Sequence, residues 1–501
     1  MTLTRCLGAI AAVFLLLISG SPIKASPPNI VLIMPDDMGW GDIAAHGNPL
    51  IKTPNLDQLH RESLRFTDFH VSPTCAPTRS ALMTGRHEFK NGVTHTIYER
   101  ERMTLQATTL AQVLKSAGYT TGIFGKWHLG DEEPYQPNNR GFDEVFIHGA
   151  GGIGQTYPGS CGDAPDNKYF NPAIRHNGTF VKTTGYCTDL FFDQAARWID
   201  QQRTADKRFF AYITPNAPHG PLVSPGPRYD QLYEGKVING TKLNEGDVAY
   251  YAMITNVDEN VGKLLARLKE WDLVNDTLVI FLSDNGGTHT RLYSGGFRGG
   301  KGQPYHAGTH APSFWRWPET LRGGVDCAAP SAHIDVLPTL AEIAGVKLDA
   351  NLQRQVAGRS LVTWLKDPQA PSPDRVLVTH VGRWERGAAS QAKHRNCSIR
   401  NNRFRLVNNQ ELYDLQADPG ETTNVIDRHP DVAAELRAAY DKWWDEVQPL
   451  LVNEDAVGPK INPFKAAYWK QFGGGPDAAL LKQMDPSTLI DAPKGKNKQK
   501  R

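Results

Sequence analysis

The sequence has few cysteines and almost no excess of charge of either sign. Six cysteines among 501 residues are too few to hold a fold of this size together, which excludes a disulfide-dense scaffold. The formal net charge of +2 gives no general argument for nucleic-acid binding, and we predict no nucleic-acid partner. Hydrophobic residues form 40% of the chain, enough for a large core, so a disordered protein is also excluded. At roughly 100–200 residues per domain, the length allows two or three domains.

Long apolar runs are also lacking, because none reaches the roughly 20 residues needed to span a bilayer. The run Leu7–Ile18 follows Arg5 and precedes small and polar residues ending at Ala25, which is typical of a cleavable secretory signal. We therefore predict a signal peptide over residues 1–25, a secreted or periplasmic protein and no transmembrane anchor. At the other end, Lys494–Arg501 holds five basic residues and no acid. This favours a solvated disordered tail over a polyanion-binding arm.

Short apolar strands alternate with helical segments between Pro27 and Gly345. This alternation is typical of an α/β domain built on a mostly parallel sheet. Predicted strands cover Asn29–Met34, Thr120–Phe124, Arg208–Thr214 and Thr277–Leu282. Each strand stops at a cluster of ionisable residues with glycines or prolines. Because the carboxyl ends of parallel strands meet at one edge of a sheet, we expect these clusters to converge on one site.

The pattern changes after about residue 350. Helices are predicted over Leu105–Ala117 and Tyr250–Trp271 in the first part, and a closing helix over Asp431–Val447 in the second. A smaller sheet is predicted from strands at Val376–Gly382, Cys397–Ile399 and Phe404–Val407. The predicted units are a main domain over residues 27–355, a small-sheet domain over 356–450 and an extension over 451–501. Residues 462–501 have the weakest pattern and end in the disordered tail.

Oxygen ligands follow two of the predicted strands. Asp36 and Asp37 come after the first strand, and Asp284 and Asn285 come after the last. Carboxylate and amide oxygens suit Ca²⁺ or Mg²⁺ far better than zinc. Either pair alone is better explained as a cap on the next helix. Together they favour a divalent metal, because four such oxygens crowded without a cation would repel one another or need raised pKa values.

Two lysines and two histidines occupy comparable positions. Lys126 and His128 follow the second strand, His219 follows the third, and Lys301 lies in the glycine-rich segment Arg298–Gly302. Two cations and two imidazoles around a metal suit a tetrahedral oxyanion, with the histidines available for proton transfer. A lone histidine is more often structural, and we assign that role to His46, His87, His176 and His380.

One segment resembles a known signature. Cys75–Arg86, with the sequence Cys-Ala-Pro-Thr-Arg-Ser-Ala-Leu-Met-Thr-Gly-Arg, resembles that of the type I sulfatases, in which the cysteine becomes formylglycine. Further segments resemble the family in the expected order: Asn29–Asp42, Gly125–Leu129, Arg140–Asp143, Pro218–His219, Ser283–Gly286, Arg298–Gly302, His333–Gly345, Glu411–Leu415 and Asp418–Glu421. The resemblance implies an arylsulfatase-like enzyme of the alkaline-phosphatase-like α/β fold. Such a protein has a large, mostly parallel mixed sheet flanked by helices and a small C-terminal α+β domain with an antiparallel sheet.

The resemblance also implies roles for the residues of the site. One Ca²⁺, with Mg²⁺ the less favoured ion, would be bound by Asp36, Asp37, Cys75, Asp284 and Asn285. Cys75, as a formylglycine hydrate stabilised by Arg79, would attack sulfur and form a covalent sulfoenzyme. Lys126, His219 and Lys301 would hold the sulfate, and His219 or Lys301 would protonate the leaving alcohol. His128 would then deprotonate the second hydroxyl of the hydrate and release sulfate.

These implications extend to partners and substrate. A formylglycine-generating enzyme would be a maturation partner, and export favours a sulfated carbohydrate over a small aryl sulfate as substrate. Aromatic candidates for stacking on a sugar are Trp127, Tyr157, Tyr305, Trp384 and Trp443. Two alternatives stay open at this stage. One is a phosphodiesterase or phosphonate monoester hydrolase of the same superfamily, and the other is a catalytically silent protein that binds sulfated glycans.

The remaining cysteines offer two possible pairings. In an oxidising compartment, Cys161 with Cys187 and Cys327 with Cys397 are candidates for disulfides, although spacing alone does not fix connectivity.

Overall fold

The computed structural model describes residues 27–490. The predicted signal peptide and the basic tail Lys494–Arg501 lie outside the described residues. Within them, no helix combines the length and the apolar character needed to cross a membrane.

The described chain alternates strands and helices through most of its length. The strands are β1 Asn29–Ile33, β2 Leu64–Phe66, β3 Phe69–His70, β4 Thr120–Lys126, β5 Glu144–His148, β6 Ala173–His176, β7 Thr179–Lys182, β8 Phe209–Thr214, β9 Val237–Ile238, β10 Thr241–Lys242, β11 Thr277–Leu282, β12 Ser313–Arg316, β13 Val325–Cys327, β14 Ser331–Ala332, β15 Leu377–His380, β16 Cys397–Arg400, β17 Phe404–Val407 and β18 Glu411–Asp414. The α-helices are α1 Pro54–Glu62, α2 Cys75–Thr84, α3 Leu110–Ser116, α4 Cys187–Thr204, α5 Pro227–Asp230, α6 Glu245–Glu270, α7 His306–Thr309, α8 Val336–Ile343, α9 Ala350–Gln355, α10 Val362–Lys366, α11 Pro430–Val447, α12 Pro463–Phe472, α13 Ala478–Met484 and α14 Ser487–Ile490.

A ten-stranded mixed sheet forms the centre of the protein, in the order β13-β2-β12-β11-β1-β8-β4-β5-β6-β7. Its central strands β11, β1, β8, β4 and β5 all run parallel. Antiparallel pairing occurs only outside this centre among the described strands, as in β11 with β12 and β5 with β6. The four strands predicted to carry the site are therefore immediate neighbours, and their carboxyl ends share one edge.

Both faces of the sheet are covered, as the continuous apolar strands require. Along β1, Ile30 and Leu32 join a core shared with helices α2, α3 and α8. Val31 and Ile33 point to the opposite core, which is built with helices α1, α4 and α6. This arrangement places a helical layer on each side of the sheet.

A separate antiparallel sheet follows in the C-terminal region, in the order β15-β16-β17-β18. Helix α11 packs on this sheet through Leu436, Tyr440 and Trp444. Ion pairs join it to the main sheet region, including that of the buried Arg400 with the half-buried Asp68 at 2.7 Å. The predicted fold class, a large mixed α/β sheet with a small C-terminal antiparallel sheet, is confirmed.

The extension differs from the weak order predicted for residues 462–501. Helices α12, α13 and α14 occupy much of it as far as residue 490. Phe464 is 1% exposed and joins the core of the main sheet, where its ring lies 5.9 Å from that of Phe180. Asn462 caps helix α12 and also bonds to the Ser160 carbonyl. The order comes from these distant contacts, which local periodicity does not report.

Two predicted helices have different starting points. Helix α3 begins only at Leu110, because Thr109 and Gln112 form a reciprocal cap there. Helix α6 begins earlier than Tyr250, at Glu245, behind the equivalent cap of Asn244 and Asp247. The five cysteines of the described chain are all free and buried, so neither candidate disulfide pair forms.

Candidate active site

The four predicted clusters meet at the carboxyl edge of the central strands. Asp36, Asp37, Cys75 and His219 each place one ligand atom so that all four atoms lie within 4.8 Å of one another. These residues come from the ends of β1 and β8 and from the first residue of α2. The convergence expected from the strand order is therefore present.

Asp37 connects three parts of the site. Its backbone N–H donates to Asp284 Oδ1 at 3.1 Å, and its Oδ1 accepts from Asn285 Nδ2 at 2.9 Å. Its φ of +68° lies in the left-handed region, where aspartate and asparagine are tolerated better than most side chains. The turn after β1 thus holds both carboxylates toward the end of β11.

The lysines neutralise the paired aspartates. Lys126 Nζ donates to Asp36 Oδ2 at 2.6 Å, and Lys301 Nζ lies 2.5 Å from Asp37 Oδ1. Burial raises the pKa of Asp36 well above its usual value, and the nearby Asp284 adds to this effect. Burial acts in the same direction on Asp37, but Lys301 and His219 hold its pKa below the usual value. Three crowded carboxylates therefore depend on fixed cations around them.

Arg79 lies beneath the site and is fully buried. Its Nε and one terminal nitrogen donate to Asp284 Oδ2 at 3.1 and 2.8 Å. The other terminal nitrogen donates to the Lys126 carbonyl at 3.0 Å and to the Thr214 hydroxyl. Arg79 thereby ties helix α2 to the ends of β4, β8 and β11. Burial alone would lower its pKa, but the Asp284 carboxylate keeps it raised, so the guanidinium is charged.

Cys75 begins helix α2 and is 2% exposed. Every residue of this helix is buried, so the backbone around the sulfur is held on all sides. Burial raises the pKa of the Cys75 thiol, although Lys126 and Lys301 oppose the shift. An unmodified thiol at this position is therefore a poor nucleophile at neutral pH.

The two histidines present one free nitrogen each. His128 Nε2 donates to the Thr96 carbonyl at 2.7 Å, and its buried Nδ1 has no hydrogen-bond partner among the described residues. His219 Nδ1 donates to the Gly220 carbonyl at 2.7 Å, which leaves Nε2 3.9 Å from Asp37 Oδ2. Because a carbonyl only accepts, these bonds fix the proton on His128 Nε2 and on His219 Nδ1.

Burial keeps both rings neutral. It lowers the pKa of His219 to about 3, with Asp37 opposing the shift. Burial and then Lys126 lower the pKa of His128 well below its usual value. Each free nitrogen is thus a lone-pair acceptor that can take up a proton when negative charge enters the site.

Several residues of the site have no signal in the sequence. Thr96 positions His128, and Thr214 anchors Arg79, but both are isolated threonines in the sequence. Gly151 and Gly152 lie against the rings of His128 and His219, and an added Cβ would come within 2.6 and 2.9 Å of those rings. Only the folded loops bring these residues to the site.

The donor set fits a hard divalent cation. Asp36 Oδ1 and Asn285 Oδ1 are buried oxygen atoms without a hydrogen-bond partner in the described structure. Together with the Asp37 and Asp284 carboxylates they provide oxygen ligands of the kind that Ca²⁺ or Mg²⁺ prefers. The residues predicted as metal ligands are therefore assembled in one place.

The fold and this arrangement agree with one class of protein. A mixed α/β sheet whose carboxyl edge carries acidic residues, fixed cations and a residue at a helix N-terminus is what the resemblance to alkaline-phosphatase-like hydrolases predicts. Residues 28–346 match the family described as Sulfatase, and residues 301–444 match the one described as N-sulphoglucosamine sulphohydrolase, C-terminal. The chain belongs to the sulfatase family and is a sulfuric ester hydrolase.

Individual relatives agree with this assignment. Arylsulfatase A of Homo sapiens is 32% identical over 470 residues, which cover 84% of this chain and 87% of that protein. N-acetylgalactosamine-6-sulfatase of Mus musculus is 31% identical over 72% of this chain and 69% of its own length. The crystal structure of Ps i-CgsB in complex with k-i-k-neocarrahexaose is similar with a TM-score of 0.75 and 26% identity, covering 89% of this chain and 97% of that one. The family and enzyme class predicted from the sequence are confirmed.

Proposed function

We propose that this protein is an exported sulfatase that hydrolyses sulfate esters of a carbohydrate, with formylglycine formed from Cys75 and one Ca²⁺ as its cofactors. The observation that carries the proposal is the position of Cys75. Its sulfur lies within 4.8 Å of ligand atoms of Asp36, Asp37 and His219, at the start of a fully buried helix. A structural cysteine has no need of such surroundings, whereas a nucleophile beside a metal does.

The ion would be held by Asp36, Asp37, residue 75, Asp284 and Asn285. When bound, it would supply positive charge to the sulfate oxygens and to the nucleophilic hydroxyl. Asp284 is oriented for this by Arg79, and Asp37 by the amide of Asn285.

Two lysines would bind the sulfate group. Lys126 and Lys301 carry their charges directly beside Asp36 and Asp37, so a sulfate that approaches the metal ligands meets both ammonium groups. The pKa of Lys301 is raised because Asp37 outweighs the cost of burial, which keeps its charge in place. Their fixed positions stabilise the charge that develops on oxygen during S–O cleavage.

The two histidines would move the protons. His219 Nε2 faces Asp37 and would first take up a proton when the anionic substrate enters; we assign it, or Lys301, to protonation of the leaving alcohol. His128 Nδ1 would accept the proton whose loss releases sulfate from residue 75. Its Nε2–H is held by the Thr96 carbonyl, so the ring has the tautomer that a base at Nδ1 requires.

A sulfated carbohydrate is the proposed substrate class. One relative is an N-acetylgalactosamine-6-sulfatase, whose name contains a sugar. Another is Ps i-CgsB, which was crystallised in complex with k-i-k-neocarrahexaose. The predicted signal peptide supports export, since sulfated polysaccharides are found outside cells.

Mass spectrometry of the Cys75 peptide, together with sulfate release by the same preparation, tests the proposal. Protein from the native host is expected to show loss of the sulfur and formation of an aldehyde or its hydrate at residue 75. The matched control is Cys75→Ala, which is expected to lose sulfate release by a factor of about 10⁴ or more. An unmodified thiol in a preparation that still hydrolyses sulfate esters would contradict the formylglycine assignment. A thiol in an inactive preparation that binds sulfated glycans would favour a silent binding protein.

A further inference from the structure

A group of polar aromatic and basic side chains lies beside the catalytic residues without a role in the chemistry described above. Tyr98 and Tyr157 are half-buried, and Arg383 is exposed. The two tyrosine hydroxyls make no hydrogen bond to any of residues 27–490, and Arg383 has no carboxylate partner in that range. The rings of Tyr98 and Tyr157 meet edge to face with centroids 6.4 Å apart. We call these three residues the rim group.

The rim group is joined to the catalytic base through Thr96. The Thr96 carbonyl accepts from His128 Nε2 at 2.7 Å, and its hydroxyl accepts from a terminal nitrogen of Arg383 at 3.0 Å. Tyr98 follows two residues later, where it and Glu99 both have positive φ values, of +65° and +62°. Two consecutive left-handed residues other than glycine are costly, and such strain concentrates at functional sites.

Tyr157 approaches from the loop that covers the two histidines. Gly151 and Gly152 of this loop lie against the rings of His128 and His219. The Tyr157 N–H then donates to the Cys161 carbonyl at 2.9 Å. Burial raises the pKa of the Tyr157 phenol, and the neighbouring Cys161 and Tyr98 add to this effect. Cys161 Sγ in turn lies 3.7 Å from the Thr96 carbonyl oxygen that accepts from His128, so this loop meets the segment around Thr96.

Arg383 is fixed although it is exposed. Arg383 lies in a turn that follows strand β15 of the small sheet, and its backbone N–H donates to the Thr94 carbonyl at 2.9 Å. Its φ is +58°. Gly382 packs so closely on Thr94 that an added Cβ would lie 2.0 Å from the Thr94 carbonyl oxygen. The C-terminal part of the chain thereby brings a guanidinium that has no carboxylate partner among residues 27–490 to the segment that holds His128.

From this geometry we infer that the rim group is the subsite for the leaving saccharide, with Tyr98 and Tyr157 contacting a sugar ring and Arg383 binding a second anionic group on that saccharide. This inference rests on the proposed function and makes it more specific. The preferred substrate carries a sulfate or carboxylate in addition to the sulfate ester that is cleaved. Guanidinium matches both anions through paired N–H donors, and tyrosine combines a flat apolar face with a hydroxyl that can bond to sugar oxygens.

The other aromatic residues predicted as candidates for stacking are occupied elsewhere. Trp127 is 3% exposed within the main core. Trp384 and Trp443 pack with the core of the small sheet. The guanidinium of Arg298 lies over the Tyr305 ring, 3.9 Å from the ring centroid. Tyr157 is the candidate whose surroundings fit the substrate.

A ratio of rate constants tests the inference. The probes are disaccharides that carry one cleavable sulfate, each compared with a counterpart that has a second sulfate or a carboxylate on the other ring. The wild type is expected to favour the doubly charged member, as measured by kcat/KM. Arg383→Ala should lower this preference by about tenfold or more, mainly through KM, since a bond to a charged group is worth about 1.5–3 kcal/mol. Because both substrates are compared on one preparation, partial unfolding or incomplete modification cancels from the ratio.

Controls separate the possible results. Arg395 is an exposed arginine of the same region whose side chain has no hydrogen bond or ion pair within the described residues, and Arg395→Ala should keep the wild-type ratio. Tyr157→Ala should raise KM for both members of each pair, because the flat face that contacts the sugar ring is lost. An Arg383→Ala ratio equal to that of the wild type would overturn the subsite. Failure of the wild type to hydrolyse any of these sugars or 4-nitrophenyl sulfate, with residue 75 shown to be modified, would instead overturn the proposed function.

Discussion

Asp37 makes contacts in four directions, and this concentration makes it the most sensitive of the proposed metal ligands. Its N–H reaches Asp284, its Oδ1 meets Lys301 and Asn285, and its carbonyl accepts from Tyr250. A bound cation would replace part of the positive charge that the lysine provides. The stability of the protein should therefore depend on the metal.

Calcium should raise the free energy of unfolding. At about 100 times its dissociation constant, a ligand that binds only the folded state adds about 2.7 kcal/mol, measurable by denaturant unfolding. Asp37→Asn should lose this gain, because asparagine tolerates the left-handed backbone but supplies less charge. Asp206→Asn is the matched control, since Asp206 is exposed and also has a positive φ, of +51°. If calcium raised the free energy of unfolding equally in Asp37→Asn and in the wild type, the ligand assignment would be contradicted. Mg²⁺ should stabilise the wild type less than Ca²⁺ does.

The buried Glu101 should make the free energy of unfolding depend on pH. Burial and the neighbouring Glu99 raise the pKa of Glu101 to about 7. One carboxylate oxygen accepts from the Ser160 hydroxyl at 2.9 Å, and the other has no partner in the described chain. Because the folded pKa lies above the unfolded value, the protonated group favours folding below about pH 4.5, and this contribution is lost as the pH rises through 7.

Glu101→Gln should therefore stabilise the protein by about 3 kcal/mol at pH 8 and by less than about 1 kcal/mol at pH 5. Denaturant unfolding at the two pH values measures the difference. The control is Glu385→Gln at an exposed position, which should change the free energy of unfolding by the same small amount at both pH values. A gain for Glu101→Gln that does not change with pH would show that the carboxyl group keeps an ordinary pKa.

At the scale of elements, the loop over residues 149–162 packs against the rings of His128 and His219, to which we assign the proton transfers. Gly151→Ala should lower kcat by about 100-fold, because the new methyl group displaces the His128 ring from its bond to Thr96. The fraction of modified residue 75 is measured in parallel so that the comparison concerns the same active species. Gly475→Ala is the control, since nothing lies within 4 Å of its Cβ position. An unchanged kcat in Gly151→Ala would mean that the loop adjusts without moving the base.

The same scale shows what sequence can and cannot predict. The ends of β1, β4, β8 and β11 were predictable because buried parallel strands leave continuous apolar runs that stop abruptly at polar residues. The convergence of the polar residues on those ends followed from strand order alone. Thr96, Gly151 and Arg383 were not predictable, since irregular loops bring them together and no periodicity marks them. Helix α12 was missed for a related reason, because its order depends on contacts with residues far away in the chain.

At the scale of the whole molecule, the C-terminal extension is part of the main core. Phe464→Ala should reduce the free energy of unfolding by about 3–5 kcal/mol, the cost of removing a buried phenylalanine. Phe472 lies on the same helix but is 41% exposed, so Phe472→Ala should cost no more than about 1 kcal/mol. Denaturant unfolding of both variants measures the contrast. Similar losses in the two would mean that helix α12 contributes through the helix as a whole rather than through this side chain.

The burial of Cys75 has a consequence for biosynthesis. The proposed maturation enzyme would have to bind the segment around this cysteine, yet in the finished structure helix α2 is enclosed and Cys75 is 2% exposed. The loop over the site is in turn fastened by Asn462, which is made nearly 400 residues later. If residue 75 is to be oxidised, the reaction has to occur while the chain is still being made or is still unfolded. The timing of translation and export then decides what fraction of the molecules becomes active.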